Sequence, residues 1–538
     1  MNTLLVGINS KYIHPNMAIR LLKANAKQPV TIKEWTIKDS ITSMVDYILT
    51  KQVDLLGLSC YIWNIELIKS LLTALHQQSF QGQILLGGPE VSYDKEVYFK
   101  LYHVDFIIAG EGEQPFSLLL DALAHHTALD GIPNLHTKDH QSSSIVMSSL
   151  GILASPFFEL DYQHQIMYLE ASRGCPFHCS YCMASLDNHV RIFPLEQVQA
   201  TIQFLLEQGA RTFKFLDRTF NLNLARTKAL FAFILEHAPQ DASFQFEITG
   251  ELLNSELIDF VNTQVPPHMF RFEIGIQSTN DDTNRLIGRR QNNAVLFHNI
   301  SLLQKAGIVD VHLDLIAGLP HEDLASFRNT FDQVIGLSPL ELQLGFLKLL
   351  KGTKLVEEAH LFSYEWSKVS PYEIISNDSL SSHDLTVIHT VENVCDKYYN
   401  APFMKASIHY LLDHVQSPFD FFYQFGCYYE ARYKWIGYNL DHLFSRLYEY
   451  VQSQTSIDAN EVLFLMKQDY LKHFSIKPKI WWKRPAPLIY KAKIKKLLET
   501  ELSSFSPDDV YRYGIVETHN NHGFLILYKP QDTRFITW

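Results

Sequence analysis

Cys175-Pro-Phe-His-Cys179-Ser-Tyr-Cys182 sets three thiols in a CxxxCxxC array, with Arg173 and Gly174 ahead of it and Tyr181 just before the last thiol. Three thiolates at this spacing can hold three corners of a cubane iron–sulfur cluster and leave the fourth iron without a protein ligand. A cluster that only carries electrons normally recruits a fourth cysteine. A structural zinc site is the competing assignment. It needs four ligands and favours short CxxC pairs at both ends. No second pair is present, and His178 or His189 would have to complete the cage at an unusual spacing. Three ordinary core cysteines are the remaining alternative.

Upstream of the array, four short apolar runs read as strands: Thr3–Ile8, Leu55–Ser59, Gln83–Leu86 and Phe106–Ala109. Amphipathic stretches such as Asn64–Gln78 lie between them. Continuous apolar strands alternating with helices predict a parallel sheet covered on both faces. Ligands of such sheets bind at the carboxyl ends of the strands. Those ends read Asn9-Ser-Lys-Tyr-Ile-His14, Ser59-Cys-Tyr-Ile-Trp-Asn64, Gly87-Gly-Pro-Glu90 and Gly110-Glu-Gly-Glu113. No GxGxxG is present, so a dinucleotide site is poorly supported. A Ser- and Pro-containing connector follows around 130–158.

Downstream, strands are predicted at Ile166–Ser172, Thr212–Leu216, Ser243–Thr249, Arg271–Gln277, Val311–Ile316 and Leu342–Leu347. Helical stretches such as Leu195–Gln208 and Ala225–Ala238 separate them. Six β/α repeats predict a partial TIM-type barrel, whose chemistry gathers at the C-terminal strand ends. Polar residues fall there: Leu216-Asp-Arg-Thr-Phe-Asn221, Phe246-Glu-Ile248, Glu273-Ile-Gly-Ile-Gln-Ser278 and Leu313-Asp-Leu-Ile-Ala-Gly-Leu-Pro320.

On these motifs the chain resembles the cobalamin-binding radical S-adenosylmethionine (SAM) family. The four N-terminal strand ends resemble its cobalamin-binding domain. The barrel segments resemble both the cobalamin-dependent members and the coproporphyrinogen-dehydrogenase branch. The resemblance implies a [4Fe–4S] cluster on Cys175, Cys179 and Cys182, with the open iron chelating SAM. It places SAM against Tyr181, Asp217, Glu247, Gln277, Arg289, Ile316 and Gly318. Glu247 and Gln277 would approach the amino group and ribose, and Ile316 and Gly318 would flank adenine. Arg289, in Ile-Gly-Arg-Arg-Gln, would grip the carboxylate, since a guanidinium fork meets a carboxylate with two parallel hydrogen bonds. Asp217 stands where the family usually carries Gly-Gly-Glu, a departure that weakens its assignment. Cobalamin would lie against Asn9, Ser59, Tyr61, Trp63, Gly87, Gly88, Gly110 and Glu111. The glycines would admit the corrin and its nucleotide tail, and Ser59 would hydrogen-bond the tail. The histidine-on motif DxHxxG is absent and the flanks of His14 do not match it. Tyr12, Tyr61 or Trp63 would then shield the lower face. For His14, and for the Tyr61 and Trp63 rings, plain core packing is the other reading.

The expected architecture is α/β: a flavodoxin/Rossmann-like cobalamin-binding domain at 1–128, a linker at 129–164 and a partial (β/α)6 radical SAM barrel at 165–350. A mainly helical extension at 351–538 closes with a hairpin, Tyr513–Thr518 and Gly523–Tyr528. The extension resembles the uncharacterised C-terminal region of a group of bacterial members. Its Tyr- and Phe-rich stretch, including Phe421–Glu430, reads as an amphipathic helical core, or else as an aromatic lid. Lys477–Lys496 holds eight basic residues among three aromatics. That composition suits RNA, although a solvated basic helix explains it as well.

Composition fits a cytoplasmic enzyme. The chain has 538 residues, 46% apolar and 19% charged, with a net charge of −12. The charge argues against attraction of the whole protein to nucleic acid or anionic lipid. No apolar run nears the ~20 residues of a membrane span, and the first residues lack signal-peptide features. Cys60, Cys395 and Cys427 are scattered, so no disulfide framework is expected. The implied reaction is reductive SAM cleavage at the cluster to a radical that activates substrate. Methylation of an unactivated carbon leads. Cyclisation, rearrangement or reduction without methyl transfer, and RNA or tRNA modification, are the alternatives. A small-molecule substrate is favoured, with RNA the alternative and no membrane partner. An electron donor such as flavodoxin or ferredoxin is implied.

Overall fold

The computed structural model describes residues 1–140, 145–146, 153–455, 457–474, 482, 496–497, 499–500, 505–520, 522–529 and 532–538. The chain divides into two compact units. One comprises residues 1–327, 337–339 and 345–382; the other comprises 328–336, 340–344 and 383–538.

In the first unit, β1 (Thr3–Asn9), β2 (Thr31–Thr36), β3 (Leu55–Ser59), β4 (Gln83–Gly87), β5 (Phe106–Ile108) and β6 (Leu135–His136) form a sheet in the order β2-β1-β3-β4-β5-β6. The first five pair in parallel and β6 runs antiparallel to β5. Alternate residues of each strand enter different cores. Leu4, Val6, Ile8, Leu56 and Leu58 join one, and Leu5, Leu55, Leu85, Phe106 and Ile108 the other. A strand buried on both faces must read as a continuous apolar run, which is why four of them are legible. The sequence Thr-Ile-Lys-Glu-Trp-Thr of β2 is not such a run, because β2 lies at the sheet edge and none of its residues is buried.

The barrel begins at β7 (Met167–Leu169). A small antiparallel ribbon of β8 (Ser172–Arg173) and β9 (Arg191–Ile192) frames the cysteine loop. Then come β10 (Thr212–Phe215), β11 (Ser243–Glu247), β12 (Phe270–Gln277), β13 (Asp310–Ala317) and β14 (Glu341–Phe346), in the sheet order β14-β13-β12-β11-β10-β7. The run β7-β10-β11-β12-β13 is parallel in every pair. Strict alternation sorts these strands. Phe213, Phe215, Phe244, Phe246, Phe270 and Phe272 are buried in a stacked aromatic layer. Lys214, Gln245, Glu247, Arg271 and Glu273 occupy the intervening, half-buried positions. The expected Ile166–Ser172 strand is thus broken into β7 and β8, with Glu170 and Ala171 between them.

Residues 345–382 brace this unit. Tyr372 Oη donates to Glu90 Oε2 at 2.6 Å, Ser370 Oγ donates to Ile62 O, and Lys351 Nζ pairs with Asp94 at 2.9 Å. Tyr364 Oη and Asn377 Nδ2 both donate to Gly318 O beyond β13. Two short strands, β15 (Glu365–Trp366) and β16 (Ile374–Ser376), give this segment its shape.

The second unit is helical with a terminal sheet. The aromatic stretch lies in the helix Pro418–Glu430, which buries Phe419, Phe421, Phe422, Phe425 and Tyr429. Phe425 packs on Tyr450 of the helix Leu440–Gln452 with ring centroids 4.9 Å apart. These rings are core of their own unit, as the amphipathic reading has it. The terminal sheet has one strand more than the expected hairpin: β17 (Gly514–His519), β18 (His522–Lys529) and β19 (Asp532–Thr537), all antiparallel. Of the basic run Lys477–Lys496, only Trp482 and Lys496 are among the described residues, and Trp482 Nε1 donates to Glu517 at 3.0 Å.

Candidate functional site

Three thiols stand on one short loop after β8. Cys175 and Cys179 are buried and Cys182 is partly accessible. Gly174 makes the entry possible. Its φ of +91° suits glycine, and a Cβ there would stand 2.4 Å from His189 O. Cys175 N–H donates to Asp187 O at 2.9 Å and Ser180 N–H to Ile287 O at 2.8 Å, so both sides of the loop are tied down. Burial pushes the Cys175 and Cys179 thiols up, and the thiols raise one another, while the Arg289 guanidinium beside Cys179 works the other way. The protein's own groups therefore favour neutral thiols, and the positive charge of bound iron would be what deprotonates them. Among the described residues no three His, Cys, Asp or Glu side chains close in as they do around a single metal ion. A cubane, with separate corners, asks for wider spacing.

Of the SAM candidates, Tyr181 is in this loop, Arg289 lies against it and Asp217 bonds the residues just ahead of it. The Arg289 guanidinium lies beside Cys179 and Tyr181, where its charge favours their anionic forms; it donates from Nε to Gln291 Oε1 at 2.7 Å and from Nη2 to Gly275 O. Gln277 sits at a register shift in the β12–β13 ladder with φ +68°. Its side chain folds over Gly275, where a Cβ would lie 2.3 Å from Gln277 Nε2. Gln277 Oε1 is buried without a hydrogen-bond partner among the described residues, an acceptor poised for a ligand donor. Asp217 is only 2% exposed and its carboxylate ties β10 to the cysteine loop. Oδ2 accepts from Ala171 N–H at 2.9 Å and Oδ1 from Ser172 Oγ at 2.6 Å. Burial pushes it up to about 6 against those bonds. Gly318 has φ +97° with Ile374 packed against it, and Ile316 is half-buried on β13.

Deeper in the barrel, Glu273 accepts from Lys214 at 2.9 Å and Gln245 at 2.6 Å. Burial raises it, but the Lys214 ammonium outweighs burial and holds it below the usual range. Glu247 lacks so close a cation, with Arg218 at 3.5 Å, and burial pushes it up to about 7. A raised folded-state pKa means that stability is fully present below pH ~4.5 and is lost as pH rises through ~7. Two to three pH units are worth about 3 kcal/mol. SAM-free protein carrying Glu247→Gln should therefore lose much of the fall in stability that the parent shows between pH 5 and pH 8. Chemical denaturation at both pH values checks this, and identical pH slopes would refute it.

A cavity of about 910 Å³ lies between the N-terminal sheet and the barrel. Ser59, Tyr61, Gly87, Gly88, Gly110 and Glu111 line it from one side, and Tyr168, Glu170, Phe193, Phe204 and Leu216 from the other. Gly87 faces open space: a Cβ there would meet only Ile108 O, at 3.7 Å. This glycine cradle fits a large planar cofactor at strand ends. Asn9 and Trp63 lie outside this lining. Asn9 Nδ2 donates to Glu34 at 2.6 Å, and Trp63 Nε1 donates to Ile8 O at 3.1 Å while its ring stacks on Tyr61 at 4.4 Å. His14 bonds the Tyr168 hydroxyl at 2.7 Å, and burial, then the Lys11 and Lys214 charges, lower its pKa.

One ion-pair network joins the strand end at Glu111, already a candidate, to the arginines around the cysteine loop, a pairing that the sequence does not display. Glu111 Oε1 faces Arg173 Nη1 at 3.4 Å and Oε2 faces Arg191 Nη1 at 2.8 Å; Arg173 also pairs with Glu113 and Glu170, each at 2.8 Å. Arginine just before the array and two acids at one strand end were the signal. Their separation of 62 residues along the chain hid the pairing.

Comparison with known families agrees with this geometry. The model described as B12 binding domain matches residues 3–120, and the Radical SAM superfamily model matches residues 169–334. The chain belongs to the cobalamin-binding radical SAM enzymes. A further model, described as a protein of unknown function (DUF4080), matches residues 360–510. The cofactors of such an enzyme are a [4Fe–4S] cluster, SAM and cobalamin, and it requires a reductant.

Two curated relatives are 2-(S-pantetheinyl)-carbapenam-3-carboxylate methyltransferase of Streptantibioticus cattleyicolor and the cobalamin-dependent radical SAM methyltransferase TokK of Streptomyces tokunonensis. The first is 25% identical over 51% of this chain and the second 22% over 54%. The matches span 44% and 45% of those proteins, so the chain covers less than half of their length. Among solved structures, the methyltransferase TsrM of Kitasatospora setae, with tryptophan substrate and a SAM analogue bound, is similar at TM-score 0.57 and 15% identity over 69% of this chain and 80% of its own. The radical enzyme OxsB is similar at TM-score 0.58 and 13% identity over 94% and 82%. These likenesses establish the shared fold. Among the described residues of this radical SAM enzyme, no helix is long and apolar enough to cross a membrane.

Proposed function

We propose that this enzyme methylates an unactivated carbon of a small organic substrate. The observation that carries the reading is the shared cavity, in which the glycine strand ends of the B12-binding domain and the edge of the barrel bound one space beside the cysteine loop. The two relatives named above, both methyltransferases, support it. When bound, cobalamin carries a methyl group and the SAM-loaded cluster supplies the radical that activates substrate. The chain's own part is placement. Cys175, Cys179 and Cys182 would hold the cluster. Arg289 would hold the SAM carboxylate, with Gln277 Oε1 accepting from the same ligand. Glu247, close to half-protonated near neutrality, would accept a hydrogen bond from the amine or ribose. Gly87, Gly88 and Gly110 would admit the corrinoid, with the stacked Tyr61–Trp63 pair beside it. The stacked phenylalanine layer and the segment 345–382, which bonds both the N-terminal domain and Gly318 after β13, would hold the strands that carry these groups in place.

Anaerobic turnover with both cofactors and a reductant tests the reading. S-adenosylhomocysteine and 5′-deoxyadenosine should form in equal amounts alongside a methylated product. 5′-Deoxyadenosine without S-adenosylhomocysteine would sink methyl transfer and favour rearrangement or reduction.

A further inference from the structure

We propose that Arg191 is a positioning residue that couples the corrinoid cavity to the cluster loop. The path is short and continuous. Glu111 follows Gly110, whose φ of +75° turns the chain at the end of β5, and both line the cavity. The β8–β9 ribbon sets Arg173 and Arg191 directly opposite one another in register. Their guanidiniums therefore reach the two oxygens of the same carboxylate, that of Glu111. Arg191 also pairs with the Asp187 carboxylate, and Asp187 O accepts the N–H of Cys175. One guanidinium thus stands between a cavity wall and the backbone of a cluster ligand. Every side chain in the network is at least about three-quarters buried.

Charge-assisted bonds in such surroundings are strong and directional, so a shift of one partner is felt by the next. Glu111, Glu113, Glu170, Arg173 and Asp187 all line the same cavity. The rim of a corrinoid carries amide N–H donors. A ligand of that kind brings donors to carboxylates that already hold the two arginines, and so it resets their hold on the loop. Coupling between two sites is reciprocal: whatever corrinoid does to SAM affinity, SAM does to corrinoid affinity by the same factor. The inference rests on the cavity being the corrinoid site and the loop carrying the cluster. It does not rest on methyl transfer being the reaction.

The test uses full-length, cluster-loaded protein. SAM dissociation constants are measured with and without hydroxocobalamin, and hydroxocobalamin constants with and without SAM. We expect both ratios in the parent to agree at about tenfold, and added hydroxocobalamin to shift the electron paramagnetic resonance signal of the reduced cluster. In Arg191→Gln the ratios should fall below about twofold and the spectral shift should vanish, with four irons per chain retained. Arg191→Lys keeps the charge but not the fork, and should recover part of the coupling. Arg211→Gln, which removes an arginine whose ion pair with Asp241 lies outside the cavity lining, should retain it. Absence of coupling in the parent, full coupling in Arg191→Gln, or loss of iron from that variant would each overturn the inference. Coupling in a protein that makes no S-adenosylhomocysteine would support it while sinking the methyl-transfer reading.

Discussion

Cys179→Ala protein, purified without oxygen, is expected to lose its iron and sulfide and to cleave no SAM above background, yet to bind corrinoid as the parent does. Two thiols cannot hold a cubane whose fourth iron is already open. Cys179 is also the buried thiol that meets Arg289, so its removal takes away the partner of the proposed SAM carboxylate grip as well. The corrinoid half of the expectation follows from position. Cys179 does not line the 910 Å³ cavity, and alanine in its place leaves the backbone bonds of Cys175 and Ser180 unaltered. Iron, sulfide and corrinoid analysis beside the parent decides it. Four irons surviving in the variant would remove the array from the cluster. Corrinoid lost together with iron would mean that the two sites fold as one.

Gly87→Leu should produce the opposite pattern. Gly87 needs no left-handed backbone, and its missing Cβ borders space rather than packed atoms. A leucine there is tolerated by the sheet but projects into the cavity. Corrinoid affinity should fall about 100-fold or more, a change near 2.7 kcal/mol, with four irons and SAM cleavage preserved and little change in melting temperature. Gly88 is a poorer probe. At φ +114°, with a Cβ 2.4 Å from Cys60 O, its substitution would damage the fold along with the site. Unaltered corrinoid binding in Gly87→Leu would move the corrinoid out of this cavity. A cluster lost along with the corrinoid would tie the two sites more tightly than a shared wall requires.

The sequence made the two cofactor domains legible because their signals are local. Cys175, Cys179 and Cys182 fall within eight residues, and Gly87-Gly88 and Gly110-Glu111 each end an apolar run. Burial on both faces made β1, β3, β4 and β5 readable, and the edge position of β2, none of whose residues is buried, hid it. The bonds that set the site's geometry are not local. Glu111 to Arg191, Tyr372 to Glu90 and His14 to Tyr168 join residues 80, 282 and 154 positions apart. Glu111 apart, which its strand end already singled out, each of those side chains, read in its own stretch, looks like an ordinary surface or core residue. Asn9 and Trp63 show the converse. Both stand in segments that follow strand ends bordering the cavity, while hydrogen bonds to Glu34 and Ile8 O hold their own side chains outside its lining.

β7 is three residues long and ends its sheet. Ile166 N–H just ahead of it is taken up by Ile13 O at 2.9 Å, Gln165 Nε2 by Tyr12 O at 3.0 Å, and Tyr168 beside it by His14. An uncovered edge of this kind is a template for pairing with other chains. The loop that covers it leaves the ribosome well ahead of the strand, since domains emerge and fold from the N-terminal side. On that order of synthesis the N-terminal loop would be in place beside this end of the sheet before the rest of the barrel is complete. A fragment beginning at residue 165 should accumulate as aggregate where the intact chain does not.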